Sequence, residues 1–345
     1  MKTFLHNLTC LCLIALPGCV MDPSGVAPVI PVPSAQGVYI LDEGTFGRGN
    51  AELSYYDLTS HVAYNGVFSA VNSRNLGDDA TCMVVRGGRG YIVVNNSNKI
   101  EVFDTQTNRT IGTVDVGSGK SPKKLSLLND SLGLVTALYD ASVLLVDFHR
   151  FTVLQRIPVG ENPDGIAIAA GKAFVANSGF GLGRTVSVIN LATMSVTATL
   201  TVGDNPVDVQ TTPAGRIYVV CAGSYGPPET PATIRVLDPV AETVTDSIFI
   251  GDHAYVMAIG ADNLGYIPRS DKVLIVDTGR DLVLSTLTGG KSYYAVGVED
   301  VSGDVYLSDA RDYQQPGSVQ VFTPDGQLRQ QFNAGVSPIA FAFKR

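Results

Sequence analysis

Seven times along the chain, a run of β-forming residues closes on Asp, Asn or Thr and then turns. The closing residues are Asp57, Asp104, Asp147, Asn190, Asp238, Asp277 and Thr323, spaced 39–48 residues apart. A second marker keeps step with the first. It is a turn, often with proline, followed by apolar residues three and five positions on: Pro122 with Leu125 and Leu127, Pro163 with Ile166 and Ile168, Pro206 with Val209, and Pro338 with Phe341 and Phe343. Ala80, Ala254 and Tyr293 hold the same register. Each copy carries four short β-runs, and one reads DGIAIAA, KAFVANS, TVSVINL, SVTATLTVG. Four strands in roughly 40–50 residues is the signature of a propeller blade. No stretch sustains a 3.6-residue apolar stripe. The pattern therefore predicts an all-β, seven-bladed β-propeller over residues 37–345.

The order of the markers predicts how the ring closes. The first closing residue, Asp57, precedes the first inner-strand marker, Ala80; the last inner-strand marker, Pro338, follows Thr323. The amino-terminal blade therefore lacks its inner strand. PIAFAF (338–343) is expected to complete the blade begun by VYILDEG, ELSYYDL and VAYNGVF. Such closure removes the open sheet edges that invite aggregation.

The first residues read as an address. Lys2 precedes an apolar stretch, Leu8 to Leu16, too short to span a membrane stably. It ends in Leu16-Pro17-Gly18-Cys19, which resembles a bacterial lipobox, with proline where a small residue is usual. That resemblance implies a signal peptide over 1–18 and a lipidated Cys19 anchoring the protein to the outer membrane. Residues 19–36, with four prolines, read as an extended tether. Cys82 and Cys221 then remain in the folded body, and both are expected as buried free thiols. The net charge of −8 leaves no basic surplus to neutralise phosphates, which argues against nucleic acid as partner.

With strands A to D running outward from the axis, the A–B and C–D links lie on one face and the B–C and D–A links on the other. The C–D turns are stereotyped, and their Asp or Asn is explained by bonding local backbone amides. The B–C loops are long, unequal and glycine-rich, and variable loops on a rigid scaffold are where binding usually sits. They carry Phe46, Tyr139, Phe180, Tyr225 and Tyr313; D–A loops add Tyr255, Tyr293 and Tyr294. Candidate polar groups on the same face are Asp79, Lys123, Asp164, Asn177, Asp208, Arg269 and Arg311, with Asp78, Lys124, Asp252, His253 and Lys291 nearby in sequence. Aromatics mixed with charge suit a bulky ligand rich in amides or hydroxyls. Each residue taken singly is also explained by loop packing or solvation; the clustering carries the reading.

Support for catalysis is thin. The four histidines, His6, His61, His149 and His253, leave one on the loop face, which cannot build a multi-histidine zinc site. There is no HExxH, no GxSxG elbow and no GxxxxGK[ST] loop. GFGLG (179–183) sits between strands, not before a helix. No fixed-spacing calcium loop occurs. The chain is therefore expected to be no enzyme and to use no cofactor or metal, although lyases, lactonases and quinone-dependent dehydrogenases are built on this architecture.

VGENPDGIAI, KAFVANS and TVSVINLAT resemble the YVTN-type propeller repeats, and GVYILDEGTFGRGNAELSYYD (37–57) resembles the opening of YncE-like bacterial envelope lipoproteins. That branch includes surface lipoproteins that capture cobalamin and pass it to an outer-membrane transporter. The resemblance thus implies capture of a corrinoid and hand-over to a TonB-dependent transporter. Two other readings stand beside it: an envelope scaffold gripping a protein on the same face, and a hydrolase or lyase without a recognisable motif.

Overall fold

The computed structural model describes residues 36–269 and 272–345. The signal segment, Cys19 and the tether up to residue 35 lie outside them. The body is a seven-bladed propeller of four-stranded antiparallel sheets. Blades 2 to 7 occupy residues 80–115, 122–158, 163–201, 206–251, 258–287 and 295–336. Blade 1 takes its inner strand from the far end of the chain. Pro338–Lys344 pairs antiparallel with Gly37–Asp42, Gly37 opposite Lys344 and Ile40 opposite Phe341. The expected closure is therefore present.

The middle strands of each blade are buried and the outer ones exposed. Strand C of blade 3, Ser142–Asp147, is buried throughout, whereas strand D of blade 4, Ser195–Thr201, faces mostly solvent. The apolar core lies between neighbouring blades: Tyr91, Val102 and Val114 of blade 2 meet Leu125, Val135 and Phe148 of blade 3. The closing Asp or Asn of each C strand folds the next turn onto its own carboxyl or amide. Asp57 accepts from the N–H groups of Thr59 and Ser60, each at 2.8 Å, and Asn190 from those of Ala192 and Thr193, at 2.9 and 3.2 Å. In blade 7, Thr323 substitutes by accepting from Gln327 N at 3.0 Å.

One expected strand is mostly a helix. VAYNGVF gives only a three-residue strand, Val62–Tyr64, followed by the helix Val67–Asn72. Gly66, at φ 69°, breaks the strand. Glu52 then caps the helix by accepting from Phe68 N and Ser69 N at 2.8 and 3.1 Å, and Val67 and Phe68 are buried.

A central channel of about 550 Å³ is lined by the inner strands of all seven blades. The strands crowd closely: a Cβ on Gly165 of blade 4 would lie 2.6 Å from Asp208 Cα of blade 5. Cys221 is buried, and burial pushes its thiol up to about 12. Cys82, expected to be buried, is half-buried and lines the channel, because a bulge between Ala80 and Cys82 shifts its register.

Candidate functional site

The strand-A bulge recurs and shapes the channel mouth. Pairing registers shift between Pro122 and Leu125, Pro163 and Ile166, and Pro206 and Asp208. The charged residues inside these irregular stretches are Lys123, Lys124 and Asp164, with Asp208 at the end of the third. A bulge releases side chains from the alternation of a regular strand, and here it delivers charge to the hub. Among the described residues, neither lysine ammonium has a hydrogen-bond or ion-pair partner within reach. Burial alone would lower Lys124, but Cys82, Asp208, Asp164 and Glu43 around it raise it on balance. Burial raises Asp164, with Lys123 and Lys124 opposing.

Glu43 was missed by the sequence reading. It opens the B–C loop of blade 1 and accepts from the Tyr294 hydroxyl at 2.6 Å. Burial, with Asp79 beside it, pushes its carboxyl up to about 7, against the pull of Tyr294 and Lys123. Glu43, buried beside Asp79, is therefore partly protonated near neutrality. Burial and the Glu43 charge raise Tyr294 as well.

Around this hub the loop aromatics form three groups. Tyr139 and Phe180 pair across blades 3 and 4 with ring centroids 5.6 Å apart. Tyr225 stacks on His253 at 3.6 Å, and its hydroxyl meets that of Tyr255. Tyr313 stands edge-on to Tyr294 at 5.3 Å, and the Thr45 hydroxyl of the neighbouring loop donates to Tyr313 O at 3.1 Å. Phe46, at the tip of that loop, is 72% exposed. Gly44 makes the tip possible, with φ 82° and Ala51 N 2.7 Å from where a Cβ would lie. Tyr139, Phe180, Tyr225, Tyr255 and Tyr313 are also exposed. Leu182, not foreseen, is 88% exposed beside Phe180.

Five expected site residues are committed to other partners within the protein. Asn177 is 2% exposed and braces its blade: its amide donates to Thr185 Oγ1 and Ser187 Oγ, both at 3.0 Å. Tyr293 is 6% exposed and donates to Gln320 Oε1 at 2.7 Å. Arg269 is pinned to Ile250 O and Asp252. Arg311 reaches outward to Asn333 on the outermost strand, at 3.4 Å. Asp208 borders the channel, but its carboxylate is committed to Val209 N and Met257 N, each at 3.0 Å, and to the Gln210 amide. The residues brought together are thus Phe46, Asp79, Lys123, Tyr139, Asp164, Phe180, Tyr225, Tyr255, Tyr294 and Tyr313, with Glu43 and Lys124 added.

No curated protein sequence matches the chain. Solved structures of other propellers do. A quinonprotein alcohol dehydrogenase-like protein from Bacteroides thetaiotaomicron is 15% identical, covers 90% of this chain and 79% of its own, and superposes with a TM-score of 0.71. Hydrazine synthase from Kuenenia stuttgartiensis is 16% identical over 75% of this chain and 88% of its own, at 0.67. A functionally unknown protein from Desulfotomaculum acetoxidans is 13% identical over 88% and 99%, at 0.68. At such identities the likeness is one of fold. A family model described as a domain of unknown function, DUF5074, matches residues 36–226, more than half the chain, and the protein is a member of that β-propeller family.

Proposed function

We propose that this propeller is a non-catalytic ligand-binding protein of the cell envelope, held to the outer membrane through a lipidated Cys19. Its B–C and D–A loops capture a bulky small molecule, a corrinoid being the best candidate, for delivery to a TonB-dependent transporter. The observation that carries the reading is the channel mouth: unpaired Lys123 and Lys124 and the buried Glu43 beside Asp79, encircled by three groups of loop aromatics. The lysines donate hydrogen bonds, the acids donate or accept, and the rings supply apolar contact to a large face. This combination suits a ligand carrying many carboxamides. The YncE-like phrasing of residues 37–57 supports the corrinoid and the envelope setting.

Calorimetric titration of the protein with cyanocobalamin tests the ligand. Saturable heat at one site per chain is expected; no heat at large ligand excess rejects the corrinoid. The paired change Tyr294→Ala with Tyr313→Ala is expected to weaken binding at least tenfold while leaving the ring folded. Unchanged affinity would move the site elsewhere.

A protein-gripping scaffold is the second reading, and the exposure of Leu182 next to Phe180 favours it. A stoichiometric protein recovered from envelope extract, together with absent small-molecule binding, would select it.

A further inference from the structure

Opposite charges stand at the channel mouth without meeting. Lys123 and Lys124 lie on the inner strand of blade 3, and Asp164 on the neighbouring inner strand of blade 4. The Asp164 carboxyl feels the charge of both lysines. No ion pair joins them, and among the described residues neither ammonium nor the carboxylate has a hydrogen-bond partner, although all three residues are half-buried. Their charged atoms keep accessible surface, unlike the sealed unpaired oxygen Oδ1 of Asp42. Lys124 is pulled by Asp208, Asp164 and Glu43 at once, so no single acid captures it. Asp208, which borders the channel with it, is spent on Val209 N, Met257 N and the Gln210 amide. An accessible donor and an accessible acceptor therefore flank a gap at the entrance to a channel of about 550 Å³.

What bridges such a gap must accept from an ammonium and donate to a carboxylate. An anionic guest satisfies the lysines but meets Asp164 and Asp208 at close quarters. A cationic guest satisfies Asp164 but meets two ammoniums. A zwitterion satisfies both sides, yet it must first shed the water held by two full charges, at a steep cost. A primary carboxamide sets an acceptor and a donor side by side on one small neutral group, and its bonds to charged partners are strong ones. The far side of the mouth suits the rest of such a molecule. Where blades 3 and 4 carry Lys123 and Asp164 after the inner-strand marker, blades 6 and 7 carry Tyr255 and Tyr294, and Val256 and Val296 line the channel next to them. We propose that the mouth recognises its ligand through a primary carboxamide, whose oxygen accepts from Lys124 Nζ and whose NH₂ donates to the Asp164 carboxylate. This deepens the ligand-binding reading and rests on it only for the place. A corrinoid is one carrier of such groups, and the recognition does not depend on it.

The probe pair is benzamide and N,N-dimethylbenzamide, which share the ring and the carbonyl and differ in the N–H donors. Titration of the folded protein followed by saturation-transfer NMR reads the binding of each. Benzamide is expected to bind the wild-type protein in the millimolar range, and the dimethyl compound roughly tenfold or more weakly. Asp164→Leu keeps the bulk and removes the acceptor, so the preference for benzamide is expected to vanish. Lys124→Met removes the donor to a carbonyl that both probes carry, so both are expected to weaken alike, with the preference kept. Equal binding of the two probes to wild type, binding of neither, or a preference that survives in Asp164→Leu overturns the proposal. If a variant does not fold, the wild-type pair still decides. Cyanocobalamin separates the two readings. A benzamide preference without heat from cyanocobalamin supports the carboxamide and rejects only the corrinoid; heat from cyanocobalamin without a benzamide preference rejects carboxamide recognition and leaves the corrinoid standing.

Discussion

At the residue scale, Glu43 ties the hub to pH. Its carboxyl titrates near 7 in the folded protein, above its ordinary value of 4.5, because it is buried beside Asp79. A raised folded pKa means that the native state holds the proton more tightly. The stability it contributes is fully present below the ordinary carboxylate range and lost as pH rises through about 7. The loss is about 3 kcal/mol. Asp42, buried at the closing seam and raised well above its usual range, acts in the same direction. Melting temperatures are therefore expected to fall between about pH 5 and about pH 8, and Glu43→Gln to fall less steeply. A parallel slope in the variant would show that another group is responsible. The same residue marks where sequence reading ran out. Asp79 and Lys123 were legible as face residues from loop position. Glu43 was not, because its burial depends on Tyr294 of a blade remote in sequence. Asn177 and Tyr293 misled for a related reason: their partners Ser187 and Gln320 sit on other strands of the same blade, and nothing local announces that the bond is made.

The elements were more legible than the side chains. A turn closed by Asp57, Asp104 or Asn190 is a local device, complete within four residues, so it repeats visibly along the chain. The strand-A bulge repeats too, and its Pro markers at 122, 163 and 206 betray it. The outer strand of blade 1 was overread because Gly66 and the Glu52 cap outweigh the β-forming residues around them. Inner-strand packing leaves a sharp test. Gly165 faces the backbone of the next blade, and backbone cannot yield as a flexible side-chain end would. Gly165→Ala is expected to cost about 1–3 kcal/mol by forcing blades 4 and 5 apart. Denaturant unfolding measures it. A neutral effect would mean that the hub is looser than its geometry.

At the scale of the whole molecule, the ring is closed by a strand borrowed from the carboxyl end. Shortening the chain to end at Ser337 leaves the inner edge of Gly37–Asp42 unpaired. The expected result is loss of a single cooperative melt, with oligomers on gel filtration; a monomer with the native melt would mean that the closure is dispensable. This arrangement has a mechanical consequence. Gly37 and Lys344 are paired neighbours on the side of the wheel away from the irregular loops. A leash, were one attached just ahead of Gly37, would therefore pull on the face opposite the Phe46 loop and its companions. Tension on that leash runs along a strand gripped on both flanks, by Glu52–Asp57 and by Pro338–Lys344. It must shear two ladders at once rather than peel one, so the attachment point is among the hardest places on the wheel to pull open.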